Sequence, residues 1–358
     1  MSILSKPVDV AGSLAFGMVG GAISTSEKVT FTTAMGLPDT VQRRLAGRPV
    51  VKDGQTLAAD VQLMLKLAKI AGPAVESLPV EKGRVALLRQ AILAGGEEPI
   101  GKVQTVWADE CRARLYTPTS AIDSDEPGPL LVFFHGGGFI YGDLDSHDAP
   151  VRFLSEQSGV RVLSVEYRLA PEHPFPAAYG DALRAFAWAY EHAAALGVDQ
   201  RRIAVGGDSA GGNLAAGVAL AARSACAFQL LVYPVTEAVG ASTASRATFG
   251  EGFYLTTTFM ELATLHYVER GEDPKDHRIA PLYADVPEDV ARAFVATAGF
   301  DPLRDEGEAY ARKLAKAGVE VESWRYSDQI HGFLNTLLVP SSRLAVADIA
   351  VALRKALA

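Results

Sequence analysis

The sequence predicts an α/β fold in which helices flank a mostly parallel sheet. From about residue 100 onward, short apolar runs alternate with helical patterns, which is typical of βαβ units. Runs such as LLVFFHG (residues 130–136) and AFQLLVYP (residues 227–234) are apolar throughout, as expected of strands buried on both faces. With 358 residues, 49% of them hydrophobic, the chain is long enough to bury a large core.

The elements can be predicted in chain order. Residues 1–95 are predicted to be helical, with breaks near Pro38 and Pro73, and LAADVQLMLKLAKIAG (residues 57–72) has apolar residues at helical spacing. VQTVW and CRARLYT are predicted strands near a sheet edge. Further strands are predicted at residues 130–136, 160–167, 202–207, 227–234, 293–299 and 319–327, with helices between most of them and a last helix at residues 342–357.

Two regions do not fit the sheet, and they divide the chain into four segments. Residues 1–95 form a helical N-terminal region, residues 96–236 and 276–358 supply the two parts of the α/β domain, and residues 237–275 are an insertion. The first and third segments are surface additions or form a lid over the edge that carries the loops. VDVAGSLAFGMVGGAI (residues 8–23) is interpreted as a surface or lid helix rather than a targeting segment.

Charge and cysteine content exclude several classes of function. The net charge of -8 and the absence of a dense basic stretch argue against nucleic acid as a partner. Cys111 and Cys226 are far apart and lack metal-ligand spacing, so neither a metal site nor a disulfide framework is predicted. We expect a cytoplasmic protein without stable membrane insertion, since free cysteines fit a reducing compartment.

A glycine-flanked serine is the first candidate for chemistry. Gly207-Asp208-Ser209-Ala210-Gly211 fits G-x-S-x-G and lies between a predicted strand and a predicted helix. In such a nucleophile elbow, small neighbours allow a strained turn that exposes the serine, and the following helix N-terminus favours negative charge. The alternative is a plain turn, since the pattern alone is weak. The strand–turn–helix context favours Ser209 as a nucleophile.

A second glycine motif, HGGGF at residues 135–139, follows a buried strand upstream of the elbow. Three glycines allow backbone N–H groups to turn toward a ligand, and an oxyanion needs two or three such donors. Together with the N–H group of Ala210, the residue after the serine, this loop is predicted to hold an oxyanion. A structural glycine loop is the alternative interpretation.

The order of the remaining polar residues predicts a base and an acid. His331 is the only histidine after the AFVATAGFDPLRDEG segment, and it follows the last predicted strand. Asp301 follows the preceding strand, which gives the order Ser, acid, His. Asp305 and Glu306 are rivals that we interpret as charges at a helix N-terminus, and Asp208 is expected to point away from the base.

The other histidines have structural interpretations. His135 is expected to brace its own loop. His147, His192 and His277 are expected at the surface, His173 in a proline-rich loop, and His266 in the insertion.

Together, HGGGF, YRLAPEHPFPAA, GDSAGGN, DPLRDEG and HGF resemble the bacterial hormone-sensitive-lipase-like (family IV) carboxylesterases of the α/β-hydrolase superfamily. The resemblance covers residues 130–335 and implies an eight-stranded, mostly parallel sheet with a helical cap. It implies a serine carboxylesterase acting on short to medium acyl esters through an acyl-enzyme, without a cofactor, and a homodimer. The N-terminal region is longer than the usual cap segment.

The resemblance also implies the roles of individual residues. Gly137 and Gly138 would donate to the oxyanion with Ala210, and Ser209, Asp301 and His331 would form the triad. Residues that would line the substrate pocket are Phe139, Asp208, Phe249, Phe253, Tyr254 and Phe259, and packing in the cap core is the alternative for the last four.

Two other functions remain open at this stage. A non-catalytic binding protein on the same fold is disfavoured, because serine, acid and base are all present. The same nucleophile also fits an amide, a lactone or another acyl donor, although an ester has the better leaving group. The natural substrate and the acyl-chain preference are not determined by the sequence.

Overall fold

The computed structural model describes residues 23–124, 126–237 and 242–358. The segment interpreted as a surface or lid helix, residues 8–23, lies outside the described residues except for Ile23. None of the helices in the described ranges combines the length and the apolar character needed to cross a bilayer.

An eight-stranded sheet forms the centre of the fold. Its strands are β3 (Lys102–Ala108), β4 (Cys111–Thr117), β5 (Gly128–Phe134), β6 (Arg161–Val165), β7 (Val198–Asp208), β8 (Gln229–Val232), β9 (Ala293–Phe300) and β10 (Val321–Ile330). A separate hairpin of β1 (Val51–Lys52) and β2 (Gln55–Thr56) precedes them. The order across the sheet is β10-β9-β8-β7-β5-β6-β4-β3. Strand β4 pairs antiparallel with β3 and β6, and the other pairs are parallel, which confirms the predicted mostly parallel sheet.

Helices surround this sheet. They are α1 (Thr25–Met35), α2 (Asp39–Ala46), α3 (Ala59–Ala71), α4 (Val80–Gly95), α5 (Asp148–Ser158), α6 (Ala177–Glu191), α7 (Ala210–Ala222), α8 (Ala244–Phe249), α9 (Thr257–Tyr267), α10 (Arg304–Lys316) and α11 (Pro340–Ala356). One hydrophobic cluster joins the sheet to α6, α7 and α10, and a second joins it to α5 and α11. Every residue of β6, β8 and β9 is buried between these layers, as their apolar sequences predict.

The parallel strands bring four loops to one edge of the sheet. Strands β5, β7, β9 and β10 run in the same direction, so the loops that follow them meet at their carboxyl ends. We call these four loops the carboxyl edge. All of the predicted catalytic and oxyanion residues lie on it.

The remaining helices pack against the carboxyl edge. We call α1–α4, α8 and α9 the helical cover. A third hydrophobic cluster joins Phe31 of α1, Val61 of α3 and Phe249 of α8 to Phe300 and Ile330, the last residues of β9 and β10. The N-terminal region and the insertion therefore meet at the ends of the two strands that precede the predicted acid and base.

Candidate active site

Ser209 lies at a sharp turn between β7 and α7. Its φ and ψ angles are 55° and -116°, a positive φ that a non-glycine residue rarely adopts. Asp208 ends β7 and Ala210 begins α7, so the first N–H groups of α7 face the serine. Ser209 is 8% exposed and lines a cavity.

The glycines of this turn are required by backbone contacts. A Cβ atom on Gly211 would collide with the carbonyl oxygen of Phe134 and lie 2.6 Å from that of His135. A Cβ atom on Gly207 would collide with the backbone of Gly211 and with the Phe134 carbonyl oxygen. The elbow therefore packs directly on the end of β5, and side chains at these two positions are excluded.

Ser209, His331 and Asp301 form a continuous hydrogen-bonded row. His331 Nε2 lies 3.0 Å from Ser209 Oγ, and His331 Nδ1 lies 2.9 Å from Asp301 Oδ2. A carboxylate only accepts hydrogen bonds, so Nδ1 carries the proton and Nε2 is free to accept the serine proton. Asp301 is fully buried, and its second oxygen accepts the N–H group of Leu303 at 2.8 Å.

The rival carboxylates lie on the first turn of α10, where they were expected. Asp305 accepts the N–H group of Ser245 at 2.8 Å. Glu306 is buried, accepts the N–H group of Thr236 at 2.9 Å and pairs with Arg246 at 2.6 Å. Both carboxylates thus hold the insertion against α10. None of these hydrogen bonds involves His331.

The HGGGF loop lies beside the elbow in an unusual backbone conformation. Gly137, Gly138 and Phe139 have φ angles of 121°, 64° and 63°. The loop is held by its neighbours: the hydroxyl of Tyr167 donates to the His135 carbonyl at 2.6 Å, and Tyr141 N–H donates to the Gly137 carbonyl at 2.9 Å. Within the described part of the chain, the N–H groups of Gly137, Gly138 and Ala210 donate to no protein atom.

His135 braces this loop, as the sequence predicts. Its Nδ1 lies 2.9 Å from the Gly136 carbonyl oxygen, and its ring stacks on Tyr167 at 4.3 Å between centroids. Burial, with a smaller contribution from His147, lowers the pKa of His135 to about 4. The hydrogen bond to Gly136 and the stack on Tyr167 hold the ring in place, which gives His135 a structural role in this loop.

The expectation that His147 lies at the surface is wrong. The side chain is buried, and its Nε2 lies 3.2 Å from Asp208 Oδ1 and 3.1 Å from Asn335 Nδ2. The ring lies in this position because β5 and α5 bring the loop between them under the elbow, a long-range contact that the local sequence does not indicate. His277 and His173 are exposed, and His192 and His266 are half-buried.

Asp208 points away from His331 and binds the HGGGF loop. Its Oδ1 accepts the N–H group of Gly136 at 2.8 Å, and its Oδ2 accepts the hydroxyl of Tyr233 at 3.3 Å. Burial favours the neutral acid, but the neighbouring His147 and the Gly136 N–H group outweigh it, so the pKa of Asp208 lies below its usual value. The residue before the serine therefore carries a buried charge that connects the two glycine motifs.

Tyr233 is a residue of the site that the sequence analysis missed. It follows β8 with a φ of 36°, its ring lies 4.6 Å from that of His331, and its hydroxyl accepts the N–H group of Leu334 at 3.3 Å. It therefore packs on the histidine and holds the backbone just beyond it. The single usable signal in the sequence was a tyrosine directly after a buried strand, which is too common to single it out.

Two cavities that are lined by described residues meet at Ser209. The large cavity has a volume of about 600 Å³ and the small cavity about 70 Å³. Ser209, Gly138, Leu255 and Phe259 border both.

The predicted pocket residues have different positions relative to these cavities. Phe139 lines the small cavity, Asp208 and Tyr254 line the large cavity, and Phe259 lies between them. Phe249 and Phe253 line neither cavity, because they pack against each other and against Phe300 in the cluster that joins the helical cover to the sheet. For these two residues the structure agrees with the alternative, packing in the cap core.

Comparison with known proteins adds an independent line of evidence. A sequence profile for a family described as alpha/beta hydrolase fold matches residues 131–335. The carboxylic ester hydrolase LipN of Mycobacterium tuberculosis is 43% identical over 318 residues, which cover 84% of this chain and 83% of that protein. An ester hydrolase from the metagenome of Lake Arreo superposes with a TM-score of 0.79 at 37% identity, over 84% of this chain and 98% of the other. A hyperthermophilic esterase of the archaeon Pyrobaculum calidifontis superposes with a TM-score of 0.77 at 37% identity, over 82% and 96% of the two chains.

Proposed function

Because the chain belongs to the hormone-sensitive-lipase-like carboxylesterases of the α/β-hydrolase superfamily and is a carboxylic ester hydrolase, we propose that Ser209, Asp301 and His331 form its catalytic triad. The enzyme then cleaves esters of short to medium acyl chains through an acyl-enzyme on Ser209. The observation that supports this proposal is the hydrogen-bonded row from Ser209 Oγ through both nitrogens of His331 to Asp301.

The first half of the reaction follows from this row. His331 Nε2 takes the proton of Ser209 Oγ while the oxygen attacks the ester carbonyl carbon. The tetrahedral intermediate then expels the alcohol, which receives its proton from His331 Nε2. Asp301 holds the ring through Nδ1 and stabilises the imidazolium that forms. Water attacks the acyl-enzyme in the second half, with His331 again as base and then acid.

The negative charge on the carbonyl oxygen needs donors that are in place before the reaction. We assign this role to the N–H groups of Gly137, Gly138 and Ala210, which donate to no other described protein atom. The positive φ angles of the two glycines turn the loop at this point. Each such donor is typically worth about 3–4 kcal/mol of transition-state stabilisation.

A homodimer and a cytoplasmic location are also part of the proposal. Strand β10 is an edge strand of the sheet and exposes 47% of Trp324, and the neighbouring α11 exposes 70% of Leu344. Sedimentation velocity at several concentrations tests the dimer, and a constant monomer contradicts it. Cys111 and Cys226 are free and buried, as fits a reducing compartment, and cell fractionation tests the location.

The catalytic proposal is tested by hydrolysis of p-nitrophenyl esters from acetate to palmitate. We expect turnover of the shorter esters, and Ser209→Ala is expected to lower kcat by at least about a thousandfold, because the nucleophile is lost. Ser120→Ala is the matched control. Ser120 is exposed and follows β4, at the opposite edge of the sheet from Ser209.

Two outcomes contradict the proposal. One is a folded wild-type protein that hydrolyses none of these esters. The other is a Ser209→Ala variant that retains the activity of the Ser120→Ala variant, which would place the nucleophile elsewhere.

A further inference from the structure

The two cavities beside Ser209 differ in size and in their relation to His331. The large cavity is lined by His331, Gly332 and the N-terminal helices of the helical cover, whereas His331 does not line the small cavity. The small cavity lies between α9, Phe139 and Leu303. The nucleophile is thus the junction of two unequal spaces, one of which contains the base.

The chemistry of the proposed mechanism distinguishes the two sides. The leaving oxygen must receive its proton from His331 Nε2, so it lies next to that atom when the tetrahedral intermediate collapses. The alcohol group therefore extends into the space that His331 lines, and the acyl group extends away from it. We propose that the large cavity binds the alcohol group of the ester and the small cavity binds the acyl group. This inference rests on the proposed triad mechanism.

The small cavity sets a limit on the acyl chain. A volume of about 70 Å³ has room for about five water-sized groups, which matches an acyl chain of four or five carbon atoms. Its wall is stiff at Phe139 and Tyr267, whose rings stack at 3.8 Å between centroids, and Phe175 packs on the edge of Tyr267. Acyl chains beyond this length exceed the volume of the small cavity.

The large cavity has the size and lining for a bulky apolar alcohol. Its volume of about 600 Å³ lies in the range of pockets that bind drug-sized ligands. Phe31 of α1, Met64 of α3 and Leu87 of α4 contribute apolar surface. Glu27 and Arg89 also line this cavity and pair with each other at 3.1 Å, which partly neutralises both charges. The inferred substrate class is therefore esters of short carboxylic acids with large, mainly apolar alcohols.

Two isomeric esters test this assignment against the opposite one, in which the large cavity binds the acyl group. Octyl acetate and ethyl octanoate have the same composition and differ only in which side of the ester is long. Below their solubility limits, in a pH-stat assay, we expect kcat/KM for octyl acetate to exceed that for ethyl octanoate by at least about tenfold, because several methylene groups do not fit the small cavity. Equal values, or the reverse order, overturn the assignment of the cavities.

Ethyl acetate is the reference substrate that distinguishes a failure of this inference from a failure of the catalytic proposal. Both of its ends are small, so it fits whichever cavity binds the acyl group. If the folded enzyme hydrolyses none of the three esters, the catalytic proposal fails. If it hydrolyses ethyl acetate but does not prefer octyl acetate, only the assignment of the cavities fails.

A pair of methionine variants tests the walls directly. Met260 of α9 lines the small cavity alone, and Met64 of α3 lines the large cavity alone. Met260→Ala is expected to raise the ethyl octanoate to ethyl acetate ratio of kcat/KM several-fold. Met64→Ala is expected to leave that ratio unchanged and to lower the octyl acetate to ethyl acetate ratio, because apolar contact with the alcohol is lost.

These readouts are ratios between two substrates of one variant, so they do not depend on the fraction of folded enzyme. A change of the acyl ratio in Met64→Ala but not in Met260→Ala contradicts the proposal.

Discussion

The carboxyl edge and the helical cover face each other across the same cavities, yet they are built in different ways. Helix α7, which follows Ser209, buries eleven of its 13 residues, whereas α1 of the helical cover buries only Phe31 and Met35 among its 11. The cover also exposes large apolar side chains, such as Val29 and Ile70, at 58% and 81%. The edge is fixed by close backbone contacts and buried polar pairs, and the cover by one apolar cluster, hydrogen bonds and ion pairs such as Arg246–Glu306.

This difference indicates which part of the site tolerates change. A catalytic row needs its atoms in place to within a fraction of an ångström, and dense packing with satisfied polar groups provides that precision. A substrate pocket needs only a shape, which a loosely packed layer supplies. We therefore expect substitutions at the edge to affect turnover and folding strongly, and equivalent substitutions in the cover to have small effects.

The largest contrast is expected for two glycine substitutions. Gly211→Ala places a Cβ atom in collision with the Phe134 carbonyl oxygen, a backbone atom that cannot move without shifting β5. We expect it to lower the free energy of unfolding by at least about 3 kcal/mol and to abolish most activity. Gly72→Ala in the cover meets no atom within 4 Å, at an extended φ of 164°, and is expected to change stability by less than about 0.5 kcal/mol.

Thermal unfolding followed by circular dichroism, with esterase activity in parallel, measures both substitutions. Wild-type stability in Gly211→Ala would show that the elbow can shift. The carboxyl edge would then tolerate substitution as well as the helical cover does.

The same contrast explains what could be predicted from the sequence. The glycine motifs and the order Ser209, Asp301, His331 were predicted residue by residue, because tight backbone turns restrict residue types locally. The central strands were predicted because their apolar runs are buried on both faces, whereas the hairpin of β1 and β2 lies in a region that was predicted to be helical. His147 was wrongly predicted at the surface and Tyr233 was missed, since their roles depend on contacts with Asp208, which is 61 and 25 residues away in the chain.

In the helical cover, helix formation was predictable but contacts were not. Short helices such as α8 and α9 bury only two residues each, so the sequence does not show which aromatic side chain faces a cavity. Phe249 and Phe259 have similar sequence contexts, yet one packs in the hydrophobic cluster and the other borders both cavities. Only the packing of the whole layer distinguishes them.

An intermediate effect is expected for the buried carboxylate that joins the two glycine motifs. Asp208→Asn removes the charge that faces His147 and the Gly136 N–H group and leaves the fold of β7 in place. A hydrogen bond to a charged group is worth about 1.5–3 kcal/mol, so kcat is expected to fall about 10- to 100-fold, with KM changed much less. The loss falls on kcat because the loop donates to charge that develops only in the transition state.

Asp39→Asn is the matched substitution in the helical cover. Asp39 pairs with Arg43 at 2.7 Å on α2, and both side chains are 65% exposed, so we expect kcat and stability close to wild type. Steady-state kinetics on one short ester measure both variants. An unchanged kcat in Asp208→Asn would show that the loop keeps its geometry without the charge and that Asp208 has no positioning role.

The smallest effect on activity is expected for a substitution in the helical cover. Thr256 is the N-cap of α9: its hydroxyl oxygen accepts the N–H group of Phe259 at 3.0 Å, and the hydroxyl donates to Glu76 Oε1 at 2.6 Å. Thr256→Val keeps the shape and removes both hydrogen bonds. We expect a loss of about 1 kcal/mol in stability, as for other N-cap residues, with kcat for a short ester within about threefold of wild type. Thr256→Ser, which keeps the hydroxyl, is expected to restore the melting temperature. If Thr256→Val instead lowers activity as much as Gly211→Ala does, α9 is part of the catalytic geometry rather than only a wall of the pocket. Phe259 and Ala263 of α9 pack against Gly138, so this cap would then control the position of an oxyanion donor.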